Sequence, residues 1–430
     1  MHAVILAAGR GTRMGPLTES TPKPMLPVAD APLVEHVADA AVEAGADELV
    51  VTVGYGADRI RRHFGESHRG VPVRYAVQES QRGTADALAA AADHLDDEFA
   101  VLNGDSLYRG ADLRRLFESP PRIGAFRVDD PTQYGVLTVD GDAVTAVREK
   151  PSDPATDLVN AGAYSFPAET VDMLDVPESE RGERELTDVL ARVMAREELG
   201  YAVLAEWMDV GRPWELLEAN ERRLPGGGSD GRDDGGSAGR DDDGSERRDD
   251  GGSAGREDGD TAGSDATVRG DVHANATIRG DVVVEAGATV GPGVVVEGPA
   301  LLRSGCSVGP NAYVRGATLV GEGAHVGHAV EIKNSVLMAD ATVGHLSYVG
   351  DSVLGPSVNL GAGTNVANLR HDGEPVDATV KGERVSTGRR KFGAVLGPRV
   401  KTGIQTGINA GVTLSADAHT EPGEIVRRDR

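Results

Sequence analysis

Residues 282–314 read VVVEAGATVGPGVVVEGPALLRSGCSVGPNAYV. An aliphatic side chain stands at Val284, Val290, Val296, Leu302, Val308 and Val314, every step six residues. Two positions before each lies a small or β-branched partner: Val282, Ala288, Val294, Ala300, Cys306 and Ala312. Glycines fill the corners. A period of six with turns predicts a β-helix, in which each short strand buries its face against the coils above and below. The series reaches back to Val272 and Ile278 and forward through Val320, Val326 and Ile332 to Met338, then resumes at Leu396, Thr402, Ile408 and Leu414. Between Met338 and Val343 the step shortens to five, which predicts a local irregularity just before His345. Cys306, the only cysteine, takes a small inward position and reads as packing.

Outside this region the chain changes character. Residues 1–224 alternate β-branched runs with amphipathic stretches: MHAVIL, then LVEHVADAAVEAG; ELVVTVG, then ADRIRRHFG; VPVRYAV, then GTADALAAAADHL. Strand–helix alternation predicts a mainly parallel sheet covered by helices, with ligands at the carboxyl ends of the strands. Gly45 reads as a C-cap, and Thr84 as an N-cap for the helix that follows it. Residues 225–264 contain RDDGGSAGR twice and no Val, Ile, Leu or aromatic residue, so they are expected to be a disordered, acidic Gly/Ser/Asp/Arg linker. Residues 265–430 carry the repeat.

Composition narrows the function. The net charge is -25 over 430 residues, which argues against nucleic acid as the main partner. The chain has 44 Lys and Arg together, and only six of these are Lys. An acidic, Lys-poor surface suits a protein kept soluble in concentrated salt, as in a halophile; a high-GC genome is the other source of such a bias. A single cysteine fits a reducing cytoplasm. No apolar run approaches a membrane span of about 20 residues, and no basic segment precedes the first apolar run, so neither a membrane nor a signal peptide is expected.

The repeat resembles the hexapeptide-repeat left-handed β-helix family over about residues 265–418. That resemblance implies a homotrimer, with ligand sites between neighbouring prisms.

The first region opens with LAAGRGTRMGPLTESTPKPML, Leu6 to Leu26. It is not a P-loop, because no GK[ST] follows the glycines, nor a dinucleotide fingerprint, because its third glycine is misplaced. Together with QRGTADAL, LNGDSLY, YGVL, REKPSD, VNAGAY and WMDVGRPWE, it resembles the sugar-1-phosphate nucleotidyltransferases, whose nucleotide domain is Rossmann-like. In that chemistry a sugar phosphate oxygen attacks the α-phosphate of a nucleoside triphosphate and pyrophosphate leaves in line, so catalysis is positioning and charge neutralisation. The resemblance implies that Leu6, Ala7, Gly9 and Gly11 hold the nucleotide. Arg13 would stabilise the departing pyrophosphate, and Lys23 would reach the α-phosphate or sugar phosphate. Asp105 and Asp209 would bind Mg²⁺, and Gln78, Gly83 and Thr84 would face the base. Gly135, Glu149, Lys150 and Asn160 would hold the sugar.

Within the repeat, AYVRGA, EIKNS, VGHLSYVGDS, NLGAGTNVAN and RRKFGAVLG resemble the acetyltransferase domain of bifunctional N-acetylglucosamine-1-phosphate uridylyltransferases, the archaeal bifunctional enzymes above all. Acetyl transfer from acetyl-CoA to an amino sugar requires the amine to lose a proton, and His345 is the implied base. Arg315, Lys333 and Lys391 would neutralise the sugar phosphate. Tyr348, Asn359 and Asn368 would bond the sugar or the acyl group, and Lys401 would meet coenzyme A phosphates.

The chain departs from these families in places. Leu369 stands where bacterial relatives have tyrosine, and HDGEPVDATVKGERVSTGRRK is longer than expected, so glucosamine 1-phosphate and galactosamine 1-phosphate both stay open. Asp209 stands where bacterial uridylyltransferases have asparagine and thymidylyltransferases aspartate, which leaves UTP and dTTP open. Synthesis of UDP-N-acetylglucosamine is the leading expectation. A glucose-1-phosphate thymidylyltransferase with a non-catalytic tail is the alternative. A structural protein with a dead transferase domain is set aside by the intact Gly9, Gly11, Arg13, Lys23 and Asp105.

Overall fold

A computed structural model describes residues 1–179, 182–226 and 266–430. The expected linker lies outside the described residues, apart from Pro225 and Gly226.

The first region is built on a ten-stranded sheet. At its centre Phe99–Asn103, His2–Ala7, Glu48–Val53 and Val71–Val77 run parallel. Both faces are covered, so the strands are continuous apolar runs; Ala3, Val4 and Ile5 are fully buried. The other half departs from the expected parallel arrangement. Leu158–Phe166 runs antiparallel to both Phe99–Asn103 and Arg122–Arg127, and Gly135–Asp140 pairs antiparallel with Ala143–Glu149 at the edge. The Leu33–Ala44 helix buries Val34, Val37, Ala38 and Ala41, and Gly45 ends it with φ 109. Thr84 does not cap its helix. Gly83 is the N-cap of Thr84–Ala89, and the Thr84 hydroxyl instead accepts from the Leu186 N–H at 3.0 Å. A segment around Arg184 crosses there, and its backbone takes the hydroxyl that a cap would use.

The second region winds into three parallel sheets of eight, six and eight strands, the stacked faces of a β-helix consistent with the left-handed hexapeptide form. Coils register eighteen residues apart, as Val284 against Leu302 shows. The inward file is the one the period marks, from Val284 to Ile332, with Cys306 packed inside it. The irregularity lies elsewhere than expected. Val320 pairs with Leu337, seventeen residues on, so the five-residue step falls between Ile332 and Leu337. Leu337 points inward, and Met338 packs outward against the first region. His345 then lies between Val343 and Val349, a regular six-residue step. The turn that loses a residue is held by Ser335, whose buried hydroxyl donates to the Lys333 carbonyl and accepts from the Ser352 N–H.

The two regions share one apolar cluster. Met14, Leu17, Trp214 and Leu217 from the first meet Leu301, Leu319, Val336, Val353 and Phe392 from the second. Trp214 and Phe392 touch edge to face, their centroids 6.1 Å apart. Arg389 holds Glu221 through both guanidinium nitrogens.

Candidate active sites

A cavity of about 620 Å³ opens at the carboxyl ends of the parallel strands. Leu6 and Ala7 end the first strand, and Gly9, Gly11 and Arg13 occupy the loop after it. Lys23, Gln78, Gly83, Thr84, Asp105, Gly135, Glu149, Lys150, Asn160 and Asp209 complete the set, so the structure brings every first-region residue singled out above to one cavity.

Two short strands set its electrostatics. Ser106–Tyr108 pairs antiparallel with Trp207–Asp209, placing Asp209 opposite Ser106. The Val210 N–H donates to the Asp105 carbonyl at 3.0 Å, which locks the carboxylates side by side. Lys23 Nζ lies 2.5 Å from Asp105 Oδ2. Arg13 stands 4.0 Å from Asp209. Burial works to raise the Asp105 carboxyl, but Lys23 outweighs it through its charge and hydrogen bond, and the net shift is downward. Burial raises Asp209; Lys23 opposes this, and the negative charge of Asp105 adds to it. Glu215, behind them, is pushed up to about 7 by burial and by Asp209, while its Oε2 accepts the Gly211 N–H at 2.7 Å.

Asp105 and Asp209 repel each other in this arrangement, and a divalent cation held between them would relieve that repulsion. Among the described residues no three His, Cys, Asp or Glu converge as a metal cage. Two carboxylate oxygens fit Mg²⁺, which is commonly held by one or two carboxylates together with substrate phosphates and water.

The glycines differ in task. Gly11 has φ +66, and a Cβ there would stand 2.5 Å from Lys23 Cβ, so the loop is glycine because Lys23 passes beneath it. A Cβ on Gly9 meets nothing within 4 Å, which leaves that approach to a ligand. A Cβ on Gly83 would lie 2.2 Å from the Arg184 carbonyl. The Gln78 amide donates to the Gly83 carbonyl and to Asp86, so its donors hold the loop. At the far end Gly135 pairs with Glu149, and Asn160 accepts the Gly162 N–H at 2.9 Å while donating to Tyr164. Reasoning from sequence missed Gln81, Tyr134 and Thr187, which also line the cavity, and Glu215. Gln81, Tyr134 and Glu215 lay inside quoted motifs; Thr187 had no signal.

The second set is spread over two faces of the prism. Arg315, Lys333 and Tyr348 belong to one sheet, and Asn359 and Lys401 to another, where they bridge each other. His345 occupies an exposed corner between the two. Its Nδ1 accepts the His328 N–H at 3.1 Å, so the ring must leave that contact before its other nitrogen can take a proton. The hub of the first face is Asp351, which the sequence reading passed over. Its carboxylate, 4% exposed, accepts from Lys333 at 3.0 Å, from Asn334 at 2.9 Å and from Asn368. Asn368 also donates to Tyr348 at 3.2 Å. Asn334 continues to Glu221 of the first region at 2.7 Å. Arg315 is paired with Glu331 at 2.7 Å. Lys391 is exposed, beside Leu369, where a long insertion returns to the prism.

Residues 2–224 match the family described as nucleotidyl transferase, and residues 296–392 match the one described as GMPPB C-terminal domain. The bifunctional protein GlmU of Methanocaldococcus jannaschii is 34% identical over 432 residues, covering 100% of this chain and 95% of that protein. The bifunctional sugar-1-phosphate nucleotidylyltransferase/acetyltransferase of Sulfurisphaera tokodaii is 33% identical, covering 100% of this chain and 98% of its own. The UTP–glucose-1-phosphate uridylyltransferase AglF of Haloferax volcanii is 37% identical over 233 residues, covering 52% of this chain and 96% of its own.

Proposed function

The chain belongs to the bifunctional sugar-1-phosphate nucleotidylyltransferase/acetyltransferase family, an enzyme class with both activities, and from that premise we propose that it makes UDP-N-acetylglucosamine from glucosamine 1-phosphate. The β-helix transfers acetyl from acetyl-CoA to the amino group. The first domain then joins N-acetylglucosamine 1-phosphate to UTP, forming a bond from the sugar phosphate oxygen to the α-phosphorus while the bond to pyrophosphate breaks. The observation that carries this reading is the convergence of the first-region motifs on one cavity beside Asp105, Asp209, Lys23 and Arg13. UTP is favoured over dTTP by the uridylyltransferase name of the Haloferax volcanii relative.

Asp105 and Asp209 would hold Mg²⁺, which supplies charge neutralisation to the phosphates. Lys23 fixes the Asp105 carboxylate and presents positive charge to the reacting phosphate. Arg13, 43% exposed on its side chain, is free to swing onto the pyrophosphate. In the β-helix, His345 takes the amine proton, and Tyr348 and Asn368 orient the acceptor around Asp351.

Arg315, Lys333 and Tyr348 lie on a different face from Asn359 and Lys401, and a second prism docked face to face would bring the two sets together. The enzyme is therefore a homotrimer in this reading. It works in a salt-rich cytoplasm; among the described residues no helix is long and apolar enough to cross a membrane.

The test is thiol release from acetyl-CoA in molar KCl with glucosamine 1-phosphate, comparing wild type with His345→Ala. Release by wild type alone supports the second site. No release from a trimer verified by light scattering, with galactosamine 1-phosphate also tried, reduces the tail to a scaffold. Mg²⁺-dependent pyrophosphate release from UTP by Asp105→Ala at the wild-type rate would remove the metal assignment.

A further inference from the structure

The nucleotidyl-transfer cavity has one wall that the first domain does not make. Among the described residues that line it, all fall between Leu6 and Gly211 except Lys381. This lysine comes from the β-helix, at the tip of a hairpin formed by Asp377–Val380 and Glu383–Ser386. The hairpin is the core of the long insertion between Asn368 and Lys391.

The arm is anchored. Val376 and Ala378, buried at 1% and 2%, share the interdomain cluster with Met14, Leu17 and Trp214. Arg384 donates to the Gly411 carbonyl at 3.0 Å and to the Asp377 carbonyl, tying both strands to the next coil. Thr387 closes the base onto the Val376 carbonyl at 2.7 Å. The tip is a two-residue turn, Lys381 at φ 50 and Gly382 at φ 86. Such turns favour asparagine or glycine at the first position, so a lysine there is held against local preference. Lysine is also scarce in this chain, which uses arginine for nearly all its positive charge. Lys381 is exposed, and it forms no ion pair among the described residues.

The position of the arm selects the ligand. Its buried face packs with Met14 and Trp214, near neighbours in sequence of Arg13 and Gly211 in the cavity wall. Arg13 is the residue assigned to the departing pyrophosphate, so the arm meets the cavity on its phosphate side. We propose that Lys381 is a positioning residue for the β- and γ-phosphates of the nucleotide, and for pyrophosphate in the reverse direction, so that the acetyltransferase domain completes the nucleotidyl-transfer site. The inference rests on the nucleotidyl-transfer reading of this cavity.

The test uses the full-length enzyme and the variants Lys381→Ala and Lys381→Arg. Forward and reverse kinetics are measured, together with calorimetric binding of Mg²⁺-pyrophosphate. Lys381→Ala should raise KM for pyrophosphate and for UTP about tenfold, about 1.4 kcal/mol, and weaken pyrophosphate binding by the same factor. KM for the sugar phosphate and the rate of acetyl transfer should not move. Lys381→Arg should restore most of the loss. Wild-type turnover with an unchanged Lys381→Ala enzyme would overturn this inference alone, as would a loss confined to sugar-phosphate KM. A wild type with no nucleotidyl transfer would overturn the parent reading and this one with it.

Discussion

Gly11 and Gly9 stand two residues apart in one loop, and the structure assigns them opposite sensitivities. In Gly11→Ala the new Cβ enters a left-handed conformation, which costs about 1–2 kcal/mol of stability. It also lies 2.5 Å from Lys23 Cβ, where carbon atoms need about 3.5–4.0 Å. The Lys23 segment must therefore retreat by about 1 Å. Lys23 is nearly buried and holds Asp105, so the displacement passes directly to the positions proposed for the phosphate and the metal. A misplacement of that size costs about 10²-fold in rate, or about 2.7 kcal/mol of transition-state stabilisation. Gly9→Ala has open space and no strained φ, so its stability should stay within about 0.5 kcal/mol of wild type. Its defect should be a raised KM for UTP, because the methyl would stand on the path proposed for the triphosphate. The assay is pyrophosphate release over a range of UTP concentrations, with acetyl-CoA thiol release as an internal control and urea unfolding for stability. Gly11→Ala within threefold of wild-type kcat/KM would refute the argument that Lys23 dictates this glycine. Equal loss of acetyl transfer would show that the loop damages the fold at large.

Asp351→Ala leaves the half-hidden Lys333 ammonium and two amides without their acceptor, so unfolding free energy should fall by about 3–5 kcal/mol in urea titration. Phe392→Ala removes a fully buried ring from the domain interface at a cost of about 3–5 kcal/mol, and calorimetry should show two separated transitions in place of a joint one. Cys306 is pushed up to about 12 by burial and by Glu285. The folded protein thus keeps a proton that the unfolded chain releases above about pH 8.5, and stability should fall there by up to about 1.4 kcal/mol per pH unit. Replacing Cys306 with Ser should remove that slope, and the native thiol should not react with a disulfide reagent at pH 8.

The repeat was legible because a β-helix writes its core as a strict period; each aliphatic residue on the six-residue step from Val284 to Ile332 was readable in advance. The slip at Ile332–Leu337 was not. Leu337 and Met338 are both large and apolar, and only the interdomain contact of Met338 decides which turns inward. The cavity residues were legible as motifs, because phosphate chemistry demands glycine and cations in a loop. Thr84 was misread as a cap because its partner, Leu186, lies 102 residues away. Asp351 was missed for a similar reason: its hydrogen-bond partners come from the coils on either side of its own and make it a hub only after winding. Lys381 had no motif, and only the tertiary docking of its hairpin gives it a neighbour.

That docking also bears on the segment between the domains. Gly226 touches Asp281, while Thr267 and Val268 pair with Val283 and Val284, so the two points that the segment joins lie in neighbouring coils. The interface between the domains is core-like, with Leu319, Val336, Val353 and Phe392 almost completely buried, and interfaces of that kind oppose relative motion. Their relative position is then set by Glu221, Arg389, Trp214 and Phe392, and not by the length of chain connecting them. Loop-closure entropy changes by only about 0.6 kcal/mol for each doubling of length. Deleting one of the two RDDGGSAGR copies, residues 232–240, should therefore leave both activities, the UTP KM and the unfolding midpoint unchanged. The sensitive readout is again the cavity: if the deletion raised KM for pyrophosphate as Lys381→Ala does, the segment would be holding the hairpin in place, and the interface would not be sufficient to position it.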